Sequence, residues 1–293
     1  MNVSPDLHNS ICIGSLALGL QYRLHAKLLA FDLLFFHPEI KLVLLTDSPD
    51  FFRDLPNVIA MKHKSTGIRF CYHDKRFVFE KAFQLYSLCL FVDADSRLVD
   101  PIDFDELLDC DAFIVAPIAE SLQKKIEREA LHEKSGIRFN GAFKKARIFN
   151  ALSEKMGVKF DELTFVQESI FLINKTKGDY QKFLNTWDCC AIYTTGRLLE
   201  FSEGSSIGLS AKVAGGKISS INKCPAWYFK DQYTDHRWKD ERQALLSKNL
   251  MLLRAAISND DWCPSRGYVR LAALGWAAFT FYLKNARRLL FSF

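Results

Sequence analysis

Several things are scarce or missing, and each absence closes off a class of protein. The eight cysteines (Cys12, Cys71, Cys89, Cys110, Cys189, Cys190, Cys224 and Cys263) include no C-x-x-C pair and no histidine at zinc-site spacing. They read as small buried hydrophobes of a reducing compartment. No Gly/Ser-rich or Pro-rich linker, internal repeat or low-complexity segment divides the chain. The opening residues, MNVSPDLHNS, lack the basic start and apolar run of a signal peptide or anchor, so a cytoplasmic location is expected. Charge of one sign is also lacking: the net charge of +5 is dispersed, with no basic stripe for nucleic acid, though it suits an anionic substrate or an acidic membrane surface.

What remains is globular material. The 293 residues can bury a large core as one large domain or two small ones, and 49% hydrophobic with 25% charged residues excludes a disordered or fibrous chain.

The stretch Leu88 to Pro101 organises the reading. Leu88, Cys89, Leu90, Phe91 and Val92 form an apolar run that stops on Asp93-Ala94-Asp95, as a strand buried on both faces does when its tip opens into a site. In a regular strand residues i and i+2 project to one side, so Asp93 and Asp95 can converge on one divalent cation, and hard oxygen ligands suit Mg2+ or Mn2+. The competing reading is a polar turn, for which Asp is a common former.

Upstream, Ser10 to Leu16 predicts a first strand in which Gly14 either approaches a ligand or simply packs. Helical spacing follows over Leu20 to Phe36, then strands over Lys41 to Asp47 and Asn57 to His63. This order opens an α/β sheet with a nucleotide-sized crevice at its strand ends. Asp47 ends the second strand either as a ribose or base acceptor or as turn and cap chemistry. A helix over His73 to Ser87 has a wide apolar face and leaves Arg76 and Lys81 polar, either facing a diphosphate or simply solvated.

Beyond the D-x-D, Asp111 to Pro117 predicts a strand and Ser121 to Lys134 a charged helix. Ser135 to Lys159 carries few strand signals and is expected to be a flap or acceptor-side segment. Gln167-Glu168 leads into a strand over Ser169 to Asn174, followed by a helix from Asp179 to about Ile192. In Glu200 to Ile218 acidic residues stand before a small-residue loop and a helix. A helix N-terminus favours an ionised carboxylate at Glu203, the state a general base needs, while N-capping by Glu203 or Ser205 is the alternative. His236 in YTDHRWKD is a candidate third metal ligand and Lys239 a candidate for phosphate oxygens, against a surface His beside Trp.

The last segment differs in kind. Between Arg270 and Lys284 lie thirteen uncharged residues, fewer than the roughly twenty that cross a bilayer. Trp276, Phe279, Phe281, Tyr282, Phe291 and Phe293 beside Arg270, Lys284, Arg287 and Arg288 predict an amphipathic helix over 268–293 lying in a membrane interface, or packed on protein. Residues 1–262 are expected to form one domain and 263–293 a helical tail.

The helix KRFVFEKAFQLY, the motif LCLFVDADSRLVDP and EGSSIGLSAKVAGGKI, in that order, resemble the GT-A class of nucleotide-sugar-dependent glycosyltransferases over roughly residues 8 to 240. The resemblance implies a single Rossmann-like α/β domain with a mixed, mostly parallel sheet flanked by helices. It also implies a UDP- or GDP-sugar donor, with UDP favoured, and Mn2+ or Mg2+ held through Asp93 and Asp95. Two departures matter. Many inverting members carry Glu-Asp before the last helix, whereas Gly204 stands here where that Asp would fall, so Glu203 is the first candidate base, with Glu168 and Glu200 behind it. His236 and Lys239 are similar to a His-x-x-Gly-x-x-Lys element of retaining members but lack its spacing, which leaves inversion or retention open. The expected acceptor is a glycan or a lipid-linked sugar at the inner face of the cytoplasmic membrane. Two rival readings are a nucleotidyltransferase, disfavoured by ICIGSLALGLQYR lacking a compact Gly-rich basic loop, and a non-catalytic nucleotide- or glycan-binding domain of the same fold.

Overall fold

The computed structural model describes residues 10–220 except 69, 109, 135–140 and 200, together with 229–231, 278, 281, 284 and 285. A seven-stranded sheet runs through the described residues. In chain order its strands are β1 (Ile11–Ala17), β2 (Leu42–Thr46), β3 (Val58–Lys62), β4 (Leu88–Val92), β6 (Ile114–Ala116), β9 (Ile170–Asn174) and β10 (Ile218–Ser220). They lie side by side as β10-β6-β9-β4-β1-β2-β3. Every pairing is parallel except those of β9, which runs antiparallel to both β4 and β6. Two small antiparallel pairs accompany it: β5 (Ser96–Leu98) with β11 (Phe229–Asp231), and β7 (Ala119–Ser121) with β8 (Thr164–Val166). This is the mixed, mostly parallel α/β arrangement that the sequence predicts.

The continuous apolar runs of the strands resolve into two cores because side chains alternate across a sheet. On one face Ile11, Ile13, Leu42, Leu44, Leu88, Leu90 and Val92 pack with Leu29 and Leu33 of helix α1 (Leu20–Phe36). On the other, Cys12, Val43, Cys89, Phe91 and Phe171 meet Val78 and Phe79 of α2 (Lys75–Ala82) and Phe183 and Trp187 of α6 (Tyr180–Thr195). Gly14 belongs to this second face. A Cβ there would stand 2.7 Å from both Val78 Cγ1 and Cys89 Sγ, so the missing side chain makes room for α2.

The remaining helices are α3 (Phe104–Leu108), α4 (Leu122–Lys134), α5 (Ala142–Lys155) and α7 (Glu203–Val213). Helix α5 fills most of the segment expected to be a flap or acceptor-side segment. Ala142, Ile148, Phe149 and Leu152 fall at helical spacing and bury into a third cluster with Leu122, Leu163 and Leu209, while Glu133 Oε1 accepts from the N–H groups of Gly141 (2.7 Å) and Ala142 (3.0 Å) at its start. Helix α2 is shorter than the period suggested, ending at Ala82 where residues 83–86 turn toward β4. No helix among the described residues is long and apolar enough to cross a membrane. In the tail, Phe281 is buried against Ile68 and Ile192, with Ala278 beside it.

Candidate active site

The sheet reverses its winding at β1: the chain goes from β1 outward to β2 and β3, then returns to place β4 on β1's other side. Such a switch leaves a crevice beyond the carboxyl ends of the strands. β4 delivers Asp93 there. Because β9 is antiparallel, with Val92 opposite Ile170, its beginning rather than its end reaches the same edge, bringing Glu168 to Asp93. Asp93 N–H donates to Ser169 O at 2.9 Å and ties the two chain segments together.

The side chain that joins this edge to the rest is Lys75, the first residue of α2. It shares the helix face of Val78, Phe79 and Ala82, and that face is buried, so its ammonium is carried inward to a position 4% exposed. Nζ lies 2.9 Å from Asp93 Oδ1, donates to Glu168 O at 2.9 Å and stands 3.9 Å from Glu203 Oε1. Burial opposes the charge, but Asp93, Glu203 and Glu168 outweigh it and hold the ammonium above its usual range.

The carboxyls divide in character. Burial pushes Glu203 up to about 8, and the charge of Glu168 adds to this while Lys75 opposes it. The direction is opposite to the one expected of a carboxylate at a helix N-terminus, because desolvation exceeds the contribution of the backbone N–H groups. Asp93 is raised to about 6 by burial, against the pull of Lys75 and with Asp95 and Glu168 pushing the same way.

Glu168 occupies an unusual place. Its Oε2 is enclosed without a hydrogen-bond partner, and it lies 2.7 Å from where a Cβ on Gly204 would be. The glycine that breaks the Glu-Asp pattern is what admits the Glu168 carboxylate at the start of α7. Gly204 and Gly208, one helical turn apart, also let α7 lie on β8: a Cβ would come within 2.3 Å of Val166 O at Gly204 and 1.6 Å of Thr164 O at Gly208.

A buried histidine locks these parts in register. Trp187 Nε1 donates to His73 Nδ1 at 3.3 Å, which leaves the proton on Nε2 to face the hydroxyls of Thr194 (3.1 Å) and Ser202 (3.2 Å). Both hydroxyls donate onward to main-chain carbonyls, Cys190 O at 2.8 Å and Leu199 O at 2.8 Å, so their lone pairs are free to accept. Burial and the nearby Arg76 and Lys75 hold His73 down at about 3, so the ring is neutral. It links the segment before Lys75 to the residue before Glu203. Ser202, not Glu203 or Ser205, is the N-cap residue of α7, and its hydroxyl serves this link rather than the helix.

Of the other sequence candidates, Asp95 follows Asp93 in a turn closed by Ser96 N–H donating to Asp93 O at 3.0 Å, rather than in a continuing strand. The two carboxyls remain close enough for Asp95 to raise Asp93. Asp47 is turned to α1, accepting from Gly19 N–H at 3.0 Å and lying 3.4 Å from Arg23 Nη1. Lys81 is 40% exposed beside Glu80, and Gly14 lies within the sheet; neither is part of the Lys75 cluster. His236, Lys239 and Glu200 lie outside the described residues. Among the described residues no three His, Cys, Asp or Glu side chains are arranged to hold a metal ion. Asp95, with Asp93, has the oxygen chemistry for Mg2+ or Mn2+, although Asp93 Oδ1 is already paired with Lys75.

No protein-family model and no curated protein matches the chain. Solved structures with similarity include a galactosyltransferase, LgtC, in complex with donor and acceptor sugar analogs, at 16% identity and TM-score 0.42 over 71% of this chain and 72% of that one. They also include the WbbM bifunctional glycosyltransferase in its apo form, at 14% identity and TM-score 0.41 over 75% of this chain and 40% of that one. A third is core-mannan synthase A from Aspergillus fumigatus in a Mn/GDP form, at 10% identity and TM-score 0.40 over 71% and 72%.

Proposed function

We propose that the chain is a GT-A-type glycosyltransferase that moves a sugar from a nucleoside-diphosphate donor, a UDP-sugar in the first instance, to a glycan or lipid-linked acceptor. The observation that carries this reading is the buried ammonium of Lys75, held among Asp93, Glu203 and Glu168 at the crevice of an α/β sheet. Such a fixed positive charge, flanked by acids of differing protonation, suits a reaction in which negative charge grows on a leaving diphosphate while an acceptor hydroxyl loses a proton.

In this reading Asp95 and Asp93 would hold Mn2+ or Mg2+, which supplies Lewis-acid stabilisation of the departing phosphate oxygens when bound. Lys75 fixes the orientation of Asp93 and adds positive potential at the same edge. Glu168, half-buried at this edge, is assigned to take the acceptor hydroxyl's proton as the new bond to the anomeric carbon forms and the bond to the diphosphate breaks. Glu203, whose carboxyl burial raises well above the usual range, is assigned to hydrogen-bond donation rather than to the base role. These roles correspond to inversion at the anomeric carbon.

A thermal-shift panel of UDP, GDP, CMP and ADP, each with and without Mn2+, tests the donor class on the full chain and on Asp95→Ala. A ligand that binds only the folded state raises the melting temperature. Stabilisation by one diphosphate that needs Mn2+ and is lost in Asp95→Ala is the expected result; no response to any nucleotide contradicts the reading.

A further inference from the structure

Two short segments lead into the site, Phe70-Cys71-Tyr72-His73-Asp74-Lys75 and Phe201-Ser202-Glu203. Their aromatic residues meet outside the crevice. Phe70 and Tyr72 stack with centroids 5.2 Å apart and planes at 25°, and Phe201 lies 4.5 Å from Phe70 and 5.1 Å from Tyr72. Rings that cluster for stability alone are ordinarily buried, yet Phe201 is 59% exposed and Phe70 36%. The position of the cluster is fixed, not incidental. The 3.2 Å contact of His73 with Ser202 joins the two segments one residue from Tyr72 and one from Phe201, so the rings keep a set offset from Lys75 and Glu203. Burial pushes the Tyr72 phenol up to about 12, and Glu203, once ionised in that alkaline range, adds to the shift, which puts the aromatic cluster and the acid in one electrostatic neighbourhood.

A ligand that suits both parts has an apolar C–H face for the rings and hydroxyls for the acid groups beside them. A pyranose has both. A nucleobase also stacks on aromatic rings, but it is flat on both sides and suits a slot; these three rings are mutually tilted by 25° to 51°, with Phe201 and Phe70 exposed to solvent.

We infer that Phe70, Tyr72 and Phe201 form a platform for the pyranose ring of the acceptor saccharide, set beside Glu203 and Glu168. This rests on the transferase reading, and its test separates the two. Saturation-transfer difference NMR on the full chain, first without and then with Mg2+ and saturating UDP or GDP, is run with methyl glucosides, galactosides and mannosides and with lactose and maltose. The platform predicts transfer to the C–H protons of one ring face of at least one of these sugars, reduced about fivefold or more in Phe201→Ala and retained in Phe201→Trp. Because Phe201 is exposed, its replacement leaves the core intact, and the melting temperature checks this. Nucleotide binding without transfer to any sugar, or transfer unchanged in Phe201→Ala, overturns the platform and leaves the donor reading standing. Loss of the sugar signal on adding nucleotide overturns it by making the rings a base site. Transfer that depends on Phe201 in a chain that binds no nucleotide upholds the platform as a saccharide site and removes the transferase reading.

Discussion

Glu203 lies beside Lys75 and at the start of a helix, two influences that favour its charged form, yet burial and the facing Glu168 prevail and keep the proton on. A carboxyl raised from 4.5 to about 8 gives the stability curve a definite sign. Between those values the folded chain holds a proton that the unfolded chain has released, so the stability this group contributes is present in acid and is lost as pH rises through about 8. Gln reproduces the shape of the neutral acid without its proton. Melting temperatures of Glu203→Gln and the parent, measured from pH 5 to pH 8.5, are therefore expected to diverge in favour of the variant by a few degrees as pH rises; a constant gap would show that Glu203 titrates normally. The sequence singles out Asp93, Asp95, Glu168 and Glu203 as candidates because strand ends and helix starts are legible in it. Lys75 is not singled out: along α2 it looks equivalent to Arg76 and Lys81. Its signal was its place three residues before Val78 and four before Phe79, on the apolar face.

At the level of elements, helix α7 sits where its glycines permit. Alanine is the better helix former by about 1 kcal/mol, so helix propensity alone predicts that Gly208→Ala stabilises. A Cβ 1.6 Å from the Thr164 carbonyl oxygen reverses that sign, since neither β8 nor α7 can yield without disturbing Glu168. Overpacking of this kind costs about 1–3 kcal/mol, and urea unfolding of Gly208→Ala is expected to show a net loss of that order; a gain in stability would mean that α7 does not rest on β8. The spacing of Gly204 and Gly208 was visible in the sequence, but its meaning depended on β8, a three-residue strand too short to leave a periodic pattern. Helix α5 was missed for a related reason: its apolar positions are diluted by Lys and Arg, and its core contacts with Leu163 and Leu209 come from distant parts of the chain.

The whole sheet was the most legible feature, because strands buried on both faces leave runs such as LCLFV and KLVLLT that few other structures produce. The antiparallel turn of β9 was not, as nothing in Ser169 to Asn174 encodes direction; that depends on how the chain returns from β8. In the tail, where the sequence predicts an amphipathic helix at a membrane interface or packed on protein, Phe281 is turned onto Ile68 and Ile192 and Lys284 is exposed. In flotation with anionic liposomes, the full chain is expected in the lipid fraction and a chain ending at Asp261 is not; equal recovery of the two would assign the aromatic residues to packing alone.

In the proposed function the edge formed by Asp93, Asp95, Lys75 and Glu168 cleaves the bond between the sugar and the diphosphate of a nucleotide sugar. The direct measurement is release of nucleoside diphosphate from UDP-glucose, UDP-galactose, UDP-N-acetylglucosamine and GDP-mannose, with Mn2+ and the acceptor sugars that bind. Release from one donor, lowered about 100-fold or more in Asp95→Ala and in Glu168→Gln while both variants still fold, is the predicted result. Release from none of these donors, or release that survives both substitutions, would contradict it.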